Sequence, residues 1–425
     1  MERPSDFRTI FGLITDEKVL TLEQATIRIP SSSFKEHRLA DYLANYMSCI
    51  GLEVEMMEVE HPTQPGIKSS QAIGRLKGTG GGPTLMLNGH MDPEIEMSGW
   101  TVDPYEGRFE NGWIWGMGAH DDKGGIVAAI CAVEAIKCSG TSMKGDILVC
   151  PVVGHKVGGI GTMVLLRKMG APDYCINMEH SANTIANVCV GRVPIRIVTK
   201  TPDVFFRYSP EAKAKYFNAI EQQCEIIRRI GTSLDPMPAG GWLRFTPHPE
   251  LPGFPKITFD TIFKEHQIYP TYTGKSTREC EMVFQIRTVP GQTLEGITTD
   301  MKNLLEQIKA DKPNLQYELF IPAYGKDDPN YKIPFEFPND HPLVVALAEG
   351  QRIASNQEPI IGGALRIGNV GDGNILAAHG VPTVQYGPGD IRAYKEWPSP
   401  DERVKLEDLV IATRAIAYAA FQLCR

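Results

Sequence analysis

The chain predicts a three-layer α/β fold that is discontinuous in sequence and interrupted by an inserted α+β module. Three observations carry this. Short apolar runs alternate with helical stretches through the first half. Around residue 195 that texture breaks, and after about Phe320 it returns. Finally, imidazole and carboxylate residues close several of the apolar runs, and the strand ends of an α/β sheet are where such folds bind ligands. With 425 residues the chain is too long for one small core. The expected division is a catalytic domain in two segments, 1–194 and 321–425, with residues 195–320 as an inserted lid or dimerisation domain.

The elements follow in order. Leu39, Tyr42, Leu43 and Tyr46 have the spacing of an amphipathic helix between Ser32 and Ile50, and Gly51 stops it. Leu52 to Met56 alternates like a strand. Thr84 to Asn88 is an apolar run bounded by glycines, the mark of a buried strand. Gly124 to Ile136 reads as a small-residue helix, followed by the strand Asp146 to Val153. The helix Gly161 to Met169 then leads into the strand Tyr174 to Met178. In the insertion, Pro194 to Thr199 and Glu281 to Thr288 read as strands, and Ala212 to Ile230 and Leu294 to Ile308 as helices. The last segment supplies a helix from Pro342 to Ala354, a strand from Thr383 to Tyr386 and a helix from Leu406 to Leu423.

Composition excludes several classes of function. Lys and Arg number 43 against 51 Asp and Glu, a net charge of −8, which disfavours a nucleic-acid surface. No run reaches the roughly 18 apolar residues of a membrane helix. The first residues lack the charged-then-apolar order of a secretory signal, which leaves the cytoplasm. The nine cysteines are odd in number and never spaced as CxxC, so they read as buried apolar residues in a reducing compartment.

Three strand-end motifs carry chemistry. Gly89-His90-Met91-Asp92 offers an imidazole with a carboxylate two residues on. Gly116-Met117-Gly118-Ala119-His120-Asp121-Asp122-Lys123 sets carboxylates on a glycine-rich turn before a helix, and Glu179-His180 closes the strand from Tyr174. Each alone is an ordinary cap or turn. Three in one domain suggest a metal site.

These motifs, with Trp100-x-x-Asp103-Pro104-Tyr105, Asp372-Gly373-Asn374, Gly380-Val381-Pro382-Thr383 and Gly387-Pro388-Gly389, resemble a family of dinuclear metallohydrolases. It includes acetylornithine deacetylase, succinyl-diaminopimelate desuccinylase, aminoacylase and glutamate carboxypeptidase. The resemblance spans nearly the whole chain. It implies that His90, Asp121 and Glu179 are ligands of the first metal and that Asp92 holds the ligand histidine. It also implies that Arg287, on an inserted-domain strand, grips a substrate carboxylate, a task suited to a planar guanidinium.

The pattern breaks at the second metal. Where the family carries Asp-Glu-Glu-x-Gly-Gly, this chain has Gly154-His155-Lys156-Val157-Gly158-Gly159. His155 replaces the general-base glutamate, and Lys156 replaces a ligand of the second ion. The late metal-binding histidine is missing from Gly389 to Glu402, and a lid histidine from Thr201 to Phe206. We therefore expect one divalent transition metal per subunit: manganese, iron, cobalt or zinc. An imidazole of ordinary pKa ~6.5 accepts protons near neutral pH, which suits His155 as the base. His120 and His180 stand in reserve.

The departures fit the family's 5-nitroanthranilate aminohydrolase branch, which replaces a ring amine by hydroxide. Phe205, Phe206, Tyr394 and Trp397 would supply aromatic walls. Lys156, Arg287, Arg366 and Arg392 would meet carboxylate and nitro groups, with Asn374 as a further substrate contact. The expectation is a hydrolase that deaminates a small, carboxylate-bearing, aromatic substrate, working as a homodimer or larger homo-oligomer with no nucleic acid or membrane partner. Two other readings stay open: an N-acyl amino acid deacylase of the usual family type, and a non-catalytic member.

Overall fold

The computed structural model describes residues 7–201, 210, 216–265, 279–325, 328–363, 370–395 and 398–425. Two compact units emerge: Met1–Val188 with Glu336–Arg425, and Cys189–Phe335.

The first unit is built on a nine-stranded mixed sheet. Along it run Glu53–Glu60, Lys68–Leu76, Ile147–Val152, Leu85–His90, Tyr174–Met178, Thr383–Tyr386 and Ile185–Cys189. Its centre is parallel: Leu85–His90 pairs in parallel with Ile147–Val152 and Tyr174–Met178, which itself pairs in parallel with Thr383–Tyr386. The two-residue period of a strand sorts side chains to opposite faces. Leu85, Leu87, Ile147, Val149 and Ile176 join one core with the helices Lys123–Cys138 and Leu406–Cys424. Met86, Leu148, Cys150 and Cys175 join a second core with the helices Ile160–Met169 and Asp372–Ala378. This is the three-layer arrangement expected. Lys123–Cys138 is buried from Lys123 to Ile136, so its small and apolar residues serve all sides of the helix. His90, Gly154 to Lys156, Glu179 and Gly387 thus come to the carboxyl ends of neighbouring parallel strands.

The second unit carries a four-stranded antiparallel sheet in the order Lys256–Glu265, Glu279–Thr288, Gly191–Lys200, Tyr317–Phe320. Val193, Ile195, Ile197, Met282, Phe284 and Ile286 form its core with Ile226, Met301 and Leu305 from two helices. The helix expected over Ala212–Ile230 is described as Ala219–Ile230, opened by a capping box of Asn218 and Glu221, while residues 211–215 lie outside the described set. The boundaries expected at 194/195 and 320/321 fall within this unit. Pro194 sits mid-strand opposite Gln285 and accepts the Ala323 N–H through its carbonyl, and Arg192 and Lys332 exchange backbone hydrogen bonds. Those bonds tie residues beyond 320 to the inserted sheet.

Among the described residues no helix is long and apolar enough to cross a membrane. All nine cysteines are free; six are buried as expected, whereas Cys49, Cys138 and Cys224 are exposed.

Candidate metal centre

His90 is the last residue of its strand and is buried. Its Nδ1 lies 2.9 Å from the Asp92 main-chain oxygen, which leaves Nε2 facing Asp121 Oδ1 at 3.1 Å. The resemblance expects the Asp92 carboxylate to hold this ring. That carboxylate comes to 3.9 Å from Nδ1 through Oδ1 and also caps the next turn: Oδ1 accepts His155 N–H at 3.1 Å, and Oδ2 accepts Lys156 N–H at 3.0 Å and the Ser33 hydroxyl at 2.7 Å. Residue 92 thus meets the imidazole with its backbone oxygen and, at longer range, with its carboxylate.

Asp121 is clamped from the far end of the chain. Glu402 Oε1 accepts the backbone N–H groups of His120 at 2.9 Å and Asp121 at 3.0 Å, and its Oε2 accepts that of Gly118 at 3.0 Å. Burial pushes Glu402 up to about 7 even though these N–H groups favour its charge. On its outer oxygen Asp121 meets the Lys156 ammonium, Nζ to Oδ2 at 2.8 Å, and the same Nζ reaches Glu94 Oε1 at 2.7 Å. His180 Nδ1 lies 3.1 Å from Asp121 Oδ1 and 3.8 Å from Glu179 Oε2.

The charges shift one another strongly. Burial opposes ionisation of Asp121, yet Lys156, His180 and His90 together hold its carboxyl well below the usual range. Burial likewise opposes charge on His90, and Asp121 outweighs it, lifting the imidazole to about 10. Lys156 is half-buried, and the Asp121 and Glu94 carboxylates raise it above its ordinary value. Asp122 is pushed well up, by burial first and then by Glu179 and Asp121. Burial and neighbouring His180 hold His120 well down.

The donors suit a divalent transition metal. Ring nitrogens of His90 and His155 and an oxygen of Glu179 lie within 4.8 Å of one another, as do donor atoms of Asp121, Glu179 and His180. All but half-buried His155 are buried, and mixed imidazole and carboxylate donors favour manganese, iron, cobalt or zinc. Both groups include Glu179, and the expected ligands His90 and Asp121 are divided between them, each group being completed by a further histidine, His155 or His180.

The other expected site residues are more scattered. His155 Nδ1 lies 3.1 Å from Asp372 Oδ2, and its ring stacks on His90 with centroids 4.0 Å apart. Asn374 is buried and its side-chain oxygen accepts Gly371 N–H at 2.9 Å, so it braces the loop before Asp372–Ala378. Arg287 belongs to the second unit, where it stands directly across the strand pair from Arg192; burial and that neighbour lower it to about 10. Arg392 is exposed, its guanidinium committed to Asp390 through contacts of 2.8 and 2.9 Å. Tyr394 sets its ring edge-on to His120 at 5.2 Å. Phe205, Phe206, Arg366 and Trp397 lie outside the described residues. Glu94, Asp372 and the clamping role of Glu402 escaped the reading of the sequence. Asp372 and Glu402 do lie in recognisable motifs, but nothing in a motif says what its carboxylate touches.

The wider family can now be assigned. Residues 86–422 match the model of peptidase family M20/M25/M40. An N-formyl-4-amino-5-aminomethyl-2-methylpyrimidine deformylase of Bacillus subtilis strain 168 is 26% identical over 392 residues, 89% of this chain and 87% of that protein. Its namesake from Halalkalibacterium halodurans is 25% identical over 96% of this chain and 95% of its own. Human carnosine dipeptidase 1 shares the fold with a TM-score of 0.70 at 16% identity, covering 98% of both chains. With two-thirds and more of its length matched and the strand-end donors in place, this chain belongs to peptidase family M20/M25/M40, a family of metal-dependent hydrolases.

Proposed function

We propose that the chain is a mononuclear hydrolase that cleaves a C–N bond other than a peptide bond, deaminating a small, aromatic, carboxylate-bearing substrate such as 5-nitroanthranilate to 5-nitrosalicylate and ammonia. The observation that carries it is the Lys156 ammonium between Asp121 and Glu94, at 2.8 and 2.7 Å. A protonated amine cannot ligate, and it repels a second cation from Asp121. One ion remains, held by His90, Asp121 and Glu179. When bound, it supplies a Lewis acid that brings the pKa of water toward ~7.

The protein's own groups do the rest. His155 takes the proton of the attacking water and returns it to the leaving nitrogen. Lys156 offers a cationic partner for a substrate carboxylate, and the family resemblance adds Arg287, Arg366, Phe205 and Asn374 as substrate contacts. The small-molecule partner, a homodimer or larger assembly through Cys189–Phe335, and work in the cytoplasm with free thiols all belong to the same reading.

A second reading is favoured by the deformylases aligned over most of the chain: release of an acyl group, formyl above all, from an amine. The products separate the two. Metal-free protein is loaded with manganese, its metal content measured, and 5-nitroanthranilate and N-formyl amines are offered with a His90→Ala control. The expected result is one ion per chain and ammonia from 5-nitroanthranilate, both lost in the control. Formate without ammonia would move the assignment to the deformylase reading, and two ions per chain would overturn the mononuclear site.

A further inference from the structure

We propose that Asp372 is the positioning residue of the site's base, holding His155 as the tautomer protonated on Nδ1 so that Nε2 accepts the proton of water. The inference rests on the hydrolase reading above and adds a residue 217 positions away from His155 to it. Asp372 opens the helix Asp372–Ala378 and is almost fully buried, and its Oδ2 lies 3.1 Å from His155 Nδ1. With Nδ1 donating there, Nε2 is the nitrogen left for chemistry.

The surroundings hold this dyad in one place. The His155 backbone N–H is bound by Asp92 Oδ1, and its ring lies flat on His90, 16° from parallel. Gly371 leaves room at the ring's edge, since a Cβ there would come within 2.6 Å of His155 Cε1 and 2.8 Å of Glu179 Oε1. Gly159, with φ of +75°, does the same for the carboxylate: a Cβ would sit 2.2 Å from Asp372 Oδ1 and 2.5 Å from Ile375 Cδ1. Thus both members of the pair are fitted against glycine backbone that no other residue could replace without displacing them.

Stacking also argues that His155 acts beside the ion rather than on it. The lone pair of an imidazole nitrogen lies in the ring plane. Two rings stacked 4.0 Å apart direct theirs along near-parallel lines that do not converge on one point. A metal held by His90 would therefore leave the His155 nitrogen free to act as a base beside it. In the step this supports, the water O–H bond breaks, its proton passes to Nε2 and its oxygen bonds the substrate carbon. The imidazolium keeps its Nδ1–H on the Asp372 carboxylate, which offsets the new positive charge. The proton on Nε2 then moves to the nitrogen as the C–N bond breaks, restoring the neutral ring and releasing the amine or ammonia.

The test reads the tautomer directly. Zinc-loaded protein carrying ring-¹⁵N histidine is examined by NMR, with the His155 signals assigned by their loss in His155→Gln. In the native protein Nδ1 is expected to be the protonated nitrogen. In Asp372→Asn the amide donates to Nδ1, so the proton shifts to Nε2, and kcat falls about 100-fold or more with little change in KM or metal content. Asp372→Glu, which keeps a carboxylate, is expected to retain the native tautomer and recover part of the rate, a result that a merely structural role would not produce. An unchanged tautomer in Asp372→Asn, or loss of the metal in His155→Gln, would overturn the proposal. Absence of turnover in the native protein would instead overturn the hydrolase reading, while the tautomer measurement still decides the role of Asp372.

Discussion

At the scale of single residues, the site is a balance of buried charges, and Lys156 is its pivot. It pairs with Asp121 and Glu94 together, so deleting its ammonium takes a cation away from both carboxylates. Lys156→Met is expected to destabilise the metal-free protein by about 1–3 kcal/mol, as loss of one partner of a partly buried pair does. Added manganese should recover more stability in this variant than in the native chain, because the ion replaces a missing cation. Urea titrations with and without metal measure both effects. Glu36 offers a cleaner pH experiment away from the metal ligands. Its Oε1 accepts Gly154 N–H at 3.1 Å, and burial, with Asp92 nearby, lifts its carboxyl from 4.5 to about 7. The folded chain therefore holds a proton that the unfolded chain releases. Stability contributed by that proton is full below pH 4.5 and is lost as pH rises through about 7. Glu36→Gln is expected to match the native chain near pH 4.5 and to exceed it at pH 8 by up to about 3 kcal/mol. Equal unfolding midpoints at pH 8 would refute that account.

At the scale of elements, the helix Lys123–Cys138 explains why the donors stay in place. It runs behind the Asp121 loop, and Ile126, Ile130 and Val133 are buried in the core under the strand that ends in His90. Such a helix has no solvent face on which a lost side chain can be absorbed. Ile130→Ala is expected to cost about 2–5 kcal/mol in a denaturant titration. The element also illustrates what periodicity conceals. A stretch rich in alanine and glycine has too little contrast to reveal an amphipathic face, and its small side chains make sense only against the neighbouring helices Leu406–Cys424 and Asp16–Ile27. Conversely, the strands Tyr174–Met178 and Thr383–Tyr386 match their sequence-predicted limits, because turn residues bracket each short apolar run.

At the scale of the whole molecule, two units each own a separate core. Unfolding should then show two transitions rather than one. Phe284 is wholly buried in the second core, so Phe284→Ala is expected to shift one transition and leave the other unmoved. Scanning calorimetry of the native chain and this variant tests it, and one common shift would mean that the units unfold together.

Much of the architecture was legible in the linear chain because its signals are local. Glycine and proline bracket short apolar runs, a two-residue period marks strands, and His90, Asp121 and Glu179 close runs whose ends meet on one sheet. The replacement of an acidic pair by His155-Lys156 was equally visible, as chemistry written in residue type. Long-range geometry was not. That Asp92 binds His90 through its backbone and turns its carboxylate to the following loop depends on the direction of one peptide group. That Lys156 joins Asp121 to Glu94, that Glu402 clamps a loop 281 residues away, and that Asp372 meets His155 depend on parallel strands bringing distant turns to one edge. Residue types and local periods are properties of the chain itself. Which buried charge finds which partner was decided only by packing, because a charge removed from water takes its stability from whatever lies within hydrogen-bonding distance in the folded protein.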